Sequence, residues 1–343
     1  MSRSIEPYLN PPVDRAEKPA SERLPDRFLR WIEVLRIRIK SIPCFTMSAG
    51  SPEGVIAGQK GDRYFDITAL VYYTKITDTG NAGWLMEANN YDLLVARGLV
   101  DGVAGVNKFG RCEDNVDTNI DTDIWSGANA AAGVKVFIAP TQARSHTVVS
   151  SSPNDTAGGT GAETIKISGL PDWDTPEVSE IVALDGLTPV DLANDYVIIN
   201  RGMCDYGANA IGPGNAGVIT ATAAVDLTLS LRIEIGQGQT HQVIFGFPST
   251  QKLYINDMYG SVNRAQAGAV NVQLLVNDNP QIQLKAFTVR TTYASNSSGE
   301  TLPTRAFGPP IEIMGPGIVK IRGSGSVPNM DVSAGFAGYL IDN

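Results

Sequence analysis

Residues 225–235 read Val225-Asp226-Leu227-Thr228-Leu229-Ser230-Leu231-Arg232-Ile233-Glu234-Ile235, apolar at every second position. That period is the pleat of an extended chain, whose alternate side chains point to opposite faces. One face goes to a core and the other to solvent, the pattern of an antiparallel sheet with a wet side. Outward from this stretch, similar segments recur at 134–139, 147–151, 163–168, 178–184, 195–200, 217–222, 241–247, 253–264, 269–277, 281–291, 310–314, 318–323 and 332–341. Turn residues separate them every 8–12 positions, the spacing of a sandwich or barrel. No fixed solenoid period is visible, and nothing after residue 43 keeps a helical period.

The composition agrees. Of 343 residues, 43% are hydrophobic and only 18% charged, with 35 Gly and 20 Pro to supply turns. The fold class expected is mainly β: an N-terminal arm with a short helix, a small β module, then one or two antiparallel β-sandwich (jelly-roll-like) domains. The expected divisions are an arm at 1–47, a module at 48–90, a Gly/Ala/Asp-rich connection at 91–133 and a sandwich region at 134–343, with a possible subdivision near 224.

The net charge is −9 and the isoelectric point about 4.8. An acidic chain gains nothing from the phosphate electrostatics that drive nucleic-acid binding, so no nucleic-acid partner is expected. No apolar run reaches the roughly 18 residues of a membrane span, and residues 1–24 are too polar and proline-broken for a secretory leader. Cys44, Cys112 and Cys204 are too few and too scattered for a disulfide framework or a metal cluster; reduced thiols in a protein made in a cytoplasm fit better.

The first 24 residues, with Pro7, Pro11, Pro12 and Pro19, cannot bury enough apolar surface to order themselves when free. Between 25 and 42, Phe28, Ile32, Leu35 and Ile39 share a helical face, while Leu35, Ile37 and Ile39 also alternate with Arg36, Arg38 and Lys40. A short helix followed by a strand is expected. Up to Pro43 there are nine Lys/Arg against six Asp/Glu, a net +3 that leaves −12 on the remainder. This basic arm reads either as a solvated charged face or as an attachment element using Phe28, Trp31, Ile32, Leu35, Arg36 and Arg38 against an acidic partner.

The chemistry-bearing residues are sparse. Nucleophilic catalysis needs a base beside the nucleophile. The only histidines, His146 and His241, flank strand-like runs and read as polar strand-edge residues. No nucleophile elbow, phosphate loop or zinc spacing occurs. In the run 113–123, Asp117, Asn119, Asp121 and Asp123 alternate and would share one face of an extended chain. They form a weak calcium candidate; the Gly and Glu of an EF-hand loop are missing, and a solvated acidic loop is the default. Asp172, Asp174, Glu177 and Glu180 are close enough in sequence to suggest a glycosidase pair, but a turn between strands accounts for them. Trp84, Trp173, Tyr206, Tyr254 and Tyr259 suit sugar stacking or, more often, packing. No enzymatic activity, no cofactor and no resident metal are expected.

Two resemblances bear on function. Pro52-Glu53-Gly54-Val55-Ile56-Ala57, then Gly61-Asp62-Arg63-Tyr64, then Tyr73-Thr74-Lys75 and Thr79-Gly80-Asn81-Ala82-Gly83-Trp84 resemble a small module of phage tail-fibre and collar or head-fibre proteins. There it follows a virion-attachment arm. A longer set, from about Asp123 to the end, is similar to β-rich virion structural proteins common in environmental phages. Its members here are Val148–Ala162 (VVSSSPNDTAGGTGA), Ile181–Val190 (IVALDGLTPV), Ile199-Asn200-Arg201-Gly202, Gly236-Gln237-Gly238-Gln239-Thr240, Tyr259–Arg264 (YGSVNR) and Asp331–Phe336 (DVSAGF).

These resemblances imply a tailed-phage virion component, fibre-like or spike-like, made in the host cytoplasm and anchored by its arm to the capsid, neck or tail. The implied partners are copies of itself in a homotrimer and other virion proteins such as capsid, portal/adaptor or tail. A capsid decoration or tail/neck ring protein is the alternative reading, and a receptor-recognition protein binding a host surface glycan is a second. Neither resemblance implies a reaction, a cofactor or a membrane partner.

Overall fold

The computed structural model describes residues 28, 30–32, 43–68, 71–86, 91–130, 134–208, 214–262, 268–282, 286–296 and 305–343. The chain is mainly β. It divides into two compact units, Met1–Leu94 and Val95–Asn343.

In the first unit, residues 28 and 30–32 are helical, as their spacing suggested, and the Phe28 and Trp31 rings stack with centroids 5.7 Å apart. Leu35, Arg36 and Arg38, with the expected strand around them, lie outside the described residues. The β module holds β1 (Phe45–Ser48), β2 (Gly58–Gln59), β3 (Arg63–Asp66), β4 (Val71–Lys75), β5 (Thr79–Gly80) and β6 (Trp84–Met86). Its main sheet runs β1-β3-β4-β6, with β1 parallel to β3 and the other pairs antiparallel; β2 and β5 form a separate ribbon. The module therefore begins earlier than 48: β1 lies in the stretch assigned to the arm, and the Cys44 amide donates to Asp62 Oδ1 at 2.7 Å. Phe45 and Met47 do alternate with Thr46 and Ser48, but four residues are too short a run to mark a strand, and all four are exposed, so neither face is buried.

The second unit contains two sandwiches. The larger is built from β7 (Val103–Val116), β8 (Thr122–Asp123), β16 (Ile244–Phe247), β17 (Gln251–Val262), β18 (Ala269–Asn277), β19 (Thr288–Asn296), β20 (Arg305–Met314), β21 (Gly317–Gly325) and β22 (Met330–Asp342). One sheet runs β16-β21-β18-β19, with β8 added to β21, and the other β20-β17-β22-β7. Their facing side chains make one core, including Trp125, Phe247, Leu253, Val272, Ile321 and Phe336. Between β8 and β16 the chain inserts β9 (His146–Ser150), β10 (Ala162–Leu170), β11 (Val178–Ala183), β12 (Val190–Asp191), β13 (Ile198–Tyr206), β14 (Ile219–Ala223) and β15 (Leu229–Ile233). These form sheets β11-β10-β13 and β12-β9-β14-β15 around a second core of Ile165, Ile167, Ile199, Ile219, Leu231 and Ile233.

Several expectations need correction. The alternation at 225–235 is a strand only over Leu229–Ile233. Val225 and Leu227 take left-handed φ values of 67° and 55° in the β14–β15 turn and are each 78% exposed. Residue 224 lies in this turn, inside one sheet, so it marks no boundary; the second core is an insertion rather than an N-terminal half. Residues 134–139 form no strand. Phe137 is buried but its amide donates to the Asp123 carboxylate at 2.7 Å, so its backbone bonds go to a side chain rather than a ladder. The segment at 281–291 becomes a strand only at Thr288, and that at 241–247 only at Ile244.

The connection expected at 91–133 hides the longest strand, β7, besides a six-residue helix at Tyr91–Ala96. The buried positions of β7 are Lys108, Gly110, Cys112 and Val116, and with a lysine and a glycine among them alternating hydrophobicity does not mark the strand. Gly110 is required there: a Cβ would stand 2.5 Å from the Ile124 carbonyl oxygen and 2.6 Å from the Val243 nitrogen. Among the described residues, no helix is long and apolar enough to cross a membrane.

Candidate functional site

The module residues singled out by resemblance converge into its internal scaffold. The Glu53 carboxylate accepts the Gly83 amide at 3.0 Å and the Trp84 amide at 2.8 Å, which holds it below the usual carboxylate range. Trp84 Nε1 donates to the Ile56 carbonyl at 2.8 Å, and the Gly54 amide to Asn81 O at 2.8 Å. The Tyr64 hydroxyl donates to Gly50 O at 2.9 Å, and its ring meets Trp84 and Tyr73 edge-on. Lys75, almost fully buried, donates to Thr77 Oγ1 and the Ala82 carbonyl. Pro52 is buried, while Gly61 and Gly83 take φ values of 93° and 87° that favour glycine. The motif thus encodes how the Pro-Glu-Gly turn grips the Gly-Trp turn.

The acidic run is dispersed rather than gathered. Asp117 pairs with Lys135 and accepts the Asn329 amide at 2.8 Å. Asp121 meets Arg322 at 2.9 Å. Asp123 is buried against Lys320 at 2.6 Å, and Lys320 lies 4.3 Å from the Phe287 ring centroid. Asn119 sits in a left-handed turn. Among the described residues no group of three or more His, Cys, Asp or Glu could hold a metal ion.

His146 departs from the expected edge position: it is fully buried, with Nδ1 2.8 Å from Arg144 O and Nε2 2.9 Å from Ser230 Oγ. A carbonyl can only accept, so Nδ1 carries the proton and Nε2 accepts from the serine. Burial lowers the pKa of this imidazole. His241 packs on Phe109 beside Arg111, which itself grips Asp331 at 3.1 and 2.7 Å. Burial first and the Arg111 charge second lower the His241 pKa.

Of the four acids near 172–180, Asp172 closes its own turn on the Asp174 and Thr175 amides, and Asp174 accepts from Ser249 Oγ at 2.7 Å. Glu180 accepts the Ala193 and Asn194 amides and the Tyr196 hydroxyl. Trp173 packs against the large core, while the Tyr254 and Tyr259 hydroxyls donate to Glu312 and Asn107, each at 3.0 Å. Tyr206 is 37% exposed at the end of β13.

Glu177 belongs elsewhere. A cleft of about 730 Å³ opens between the two sandwiches. β7 supplies Lys108 and Phe109, β10 Lys166 and Ser168, β13 Asn200 and Arg201, and β16 Phe245 and Phe247, with Glu177 at the entry to β11. Lys108 is 5% exposed, and its ammonium donates to the Asn200 carbonyl, tying the two sandwiches together. The Asn200 amide makes three hydrogen bonds: Nδ2 donates to Glu177 Oε2 at 2.7 Å and Gly246 O at 2.9 Å, and Oδ1 accepts the Gly246 amide at 2.8 Å. Arg201 reaches the Asn107 carbonyl at 3.0 Å. Burial lowers the Lys108 pKa to about 7, aided by the Arg201 charge and opposed by Glu177. The amine therefore changes charge near neutral pH, and the cleft offers fixed donors beside an apolar wall.

Sequence reading missed Lys108 because it lies on the unrecognised strand β7, 92 residues from Asn200. Asn200 and Arg201 stood inside a motif noted for family resemblance, with nothing to mark them as cleft residues. No protein-family model matches the sequence, and no curated protein matches it significantly.

Proposed function

We propose that the chain is a structural component of a tailed-phage particle, fibre-like or spike-like and homotrimeric. Its N-terminal arm attaches it to the capsid, neck or tail, and the double-sandwich unit is displayed. The observation that supports this most is in the module. The residues resembling the fibre-type motif, from Pro52-Glu53-Gly54 to Gly83-Trp84, lock together as the scaffold of a separate compact unit. A motif that builds a discrete module between an arm and a large β region suits a particle protein assembled in parts. The second resemblance supports the same reading, since its residues include the buried turn framework around Asp155.

The test combines solution mass with location. Sedimentation equilibrium of the full chain should give a trimer, and antibodies against the second unit should label intact particles. Deleting residues 1–42 should leave the trimer but abolish its incorporation into particles. A monomer ordered only on the particle would replace this reading with a decoration or ring protein. A chain absent from purified particles would overturn it altogether.

A further inference from the structure

We propose that the cleft between the two sandwiches is a binding site for a small organic oxoanion, whose charged group lies between Lys108 and Arg201 and whose body rests on the wall of Phe109, Met203 and Phe245. The inference stands whether or not the chain is a virion component.

The volume comes first. About 730 Å³ falls within the range of small-molecule pockets, roughly 300–1,000 Å³. The lining is of the right kind, mostly apolar with a few convergent polar groups. Charge comes second. The protein carries −9 overall, yet the titratable side chains lining this cleft are Lys108, Lys166 and Arg201 against Glu177 alone. They come from β7, β10, β13 and the entry to β11; β16 presents phenylalanines, and β17 and β22 present Gln251 and Leu340. Local positive excess in an acidic protein favours an anion at this place.

The third point is Lys108 itself. An ammonium has three donors, and among the described residues this one has a single protein acceptor, the Asn200 carbonyl. Neither the Asn200 side chain, turned to Gly246 and Glu177, nor the Glu177 carboxylate is hydrogen-bonded to it among the described residues. A buried cation short of acceptors is costly, which is why its amine loses its proton readily. An oxoanion arriving beside it supplies the missing acceptors and the counter-charge together. Arg201, half-buried at the same wall, adds a planar fork suited to carboxylate or phosphate.

Binding should then take up a proton on Lys108. With an amine of pKa about 7, the protonated share falls from about nine-tenths at pH 6 to about one-tenth at pH 8. Affinity for an anion that stays ionised throughout should fall about tenfold over that interval.

Isothermal titration calorimetry on the full chain would test this with three probes: glucuronate, glucose 6-phosphate and glucose. At least one anion should bind, and glucose should bind at least about tenfold more weakly. The preferred anion tells a carboxylate site from a phosphate site. Glucuronate affinity, whose carboxylate does not titrate here, should show the tenfold loss from pH 6 to pH 8. Arg201→Gln, at a half-exposed position, should weaken binding at least about fivefold. Lys108→Met should abolish the pH dependence. If Lys108→Met fails to fold, the pH titration of the natural chain and Arg201→Gln still decide. Absence of binding by both anions, equal binding of glucose, or unchanged affinity in Arg201→Gln with a flat pH profile would each overturn the proposal.

Discussion

Asp155 shows how one residue can close a loop system. Fully buried, its carboxylate accepts the Ser150 hydroxyl at 2.5 Å and the Ala162, Ala216 and Gly217 amides at 2.8 Å each, while its carbonyl accepts the Gly186 amide at 2.8 Å. Three separate turns meet on it. Asp155→Ala would strand the four donors to its carboxylate in the interior, where each unmet group costs about 1–3 kcal/mol before relaxation, and would leave the Gly186 amide its carbonyl. A loss of about 3–5 kcal/mol in equilibrium denaturation is expected.

Asp226 works at the surface instead. It accepts Arg144 Nη2 at 3.0 Å and the Thr141 amide at 2.9 Å, and so pins the turn where Val225 and Leu227 are left-handed. Arg144 chiefly, and then the Thr141 amide, hold its pKa down to about 2 from an ordinary 3.8. A carboxylate depressed on folding contributes stability that is complete above its ordinary value and fades as pH falls toward the folded one. Melting temperatures measured from pH 5 down to about pH 2 should therefore drop less steeply in Asp226→Asn than in the natural chain. An equal slope in both would show that the clamp contributes nothing to folding.

At the scale of elements, legibility followed the chemistry of the inward face. β18 was read with its correct bounds because Val270, Val272, Leu274 and Val276 alternate and all go inside. β7 escaped because Lys108 and Gly110 occupy inward places, one serving a cleft and the other a close backbone approach. The alternation at 225–235 overreached because periodicity does not see a turn that puts β-branched and apolar residues at positive φ, a conformation rare for such side chains. In the module, the motif was legible as a pattern, while its meaning needed the contacts. Gly83 shows the constraint: beyond its φ of 87°, a Cβ would stand 2.4 Å from Thr77 Cγ2. Gly83→Ala should destabilise the module by about 1–3 kcal/mol. Near-ultraviolet circular dichroism of its aromatic cluster should lose signal at lower temperature, with the main transition of the second unit unmoved.

At the scale of the whole molecule, sheet order depends on partners far apart in the chain. β22 lies between β17 and β7, and it pairs Ile341 with Val103 and Ala334 with Gly110. Such separations were invisible to a linear reading, which placed the strands but not their neighbours. They also make the fold depend on its last element and slow to form, since distant pairing pays loop-closure entropy before contacts compensate. Truncation after Asn329 should leave β7 without its ladder partner and β17 paired to β20 alone, and expose the large core. The shortened chain should bind a hydrophobic dye and sediment as aggregates, whereas the full chain should remain in solution without binding the dye.

The strand that enters the second unit is also the strand that floors the cleft: β7 begins at Val103, and Lys108 is five residues along it. Tension applied along β7 at Lys108 would run back to Val103 through extended backbone. Over most of its length β7 is laced to β22 by an antiparallel ladder, so that tension would meet many backbone bonds in shear rather than one at a time.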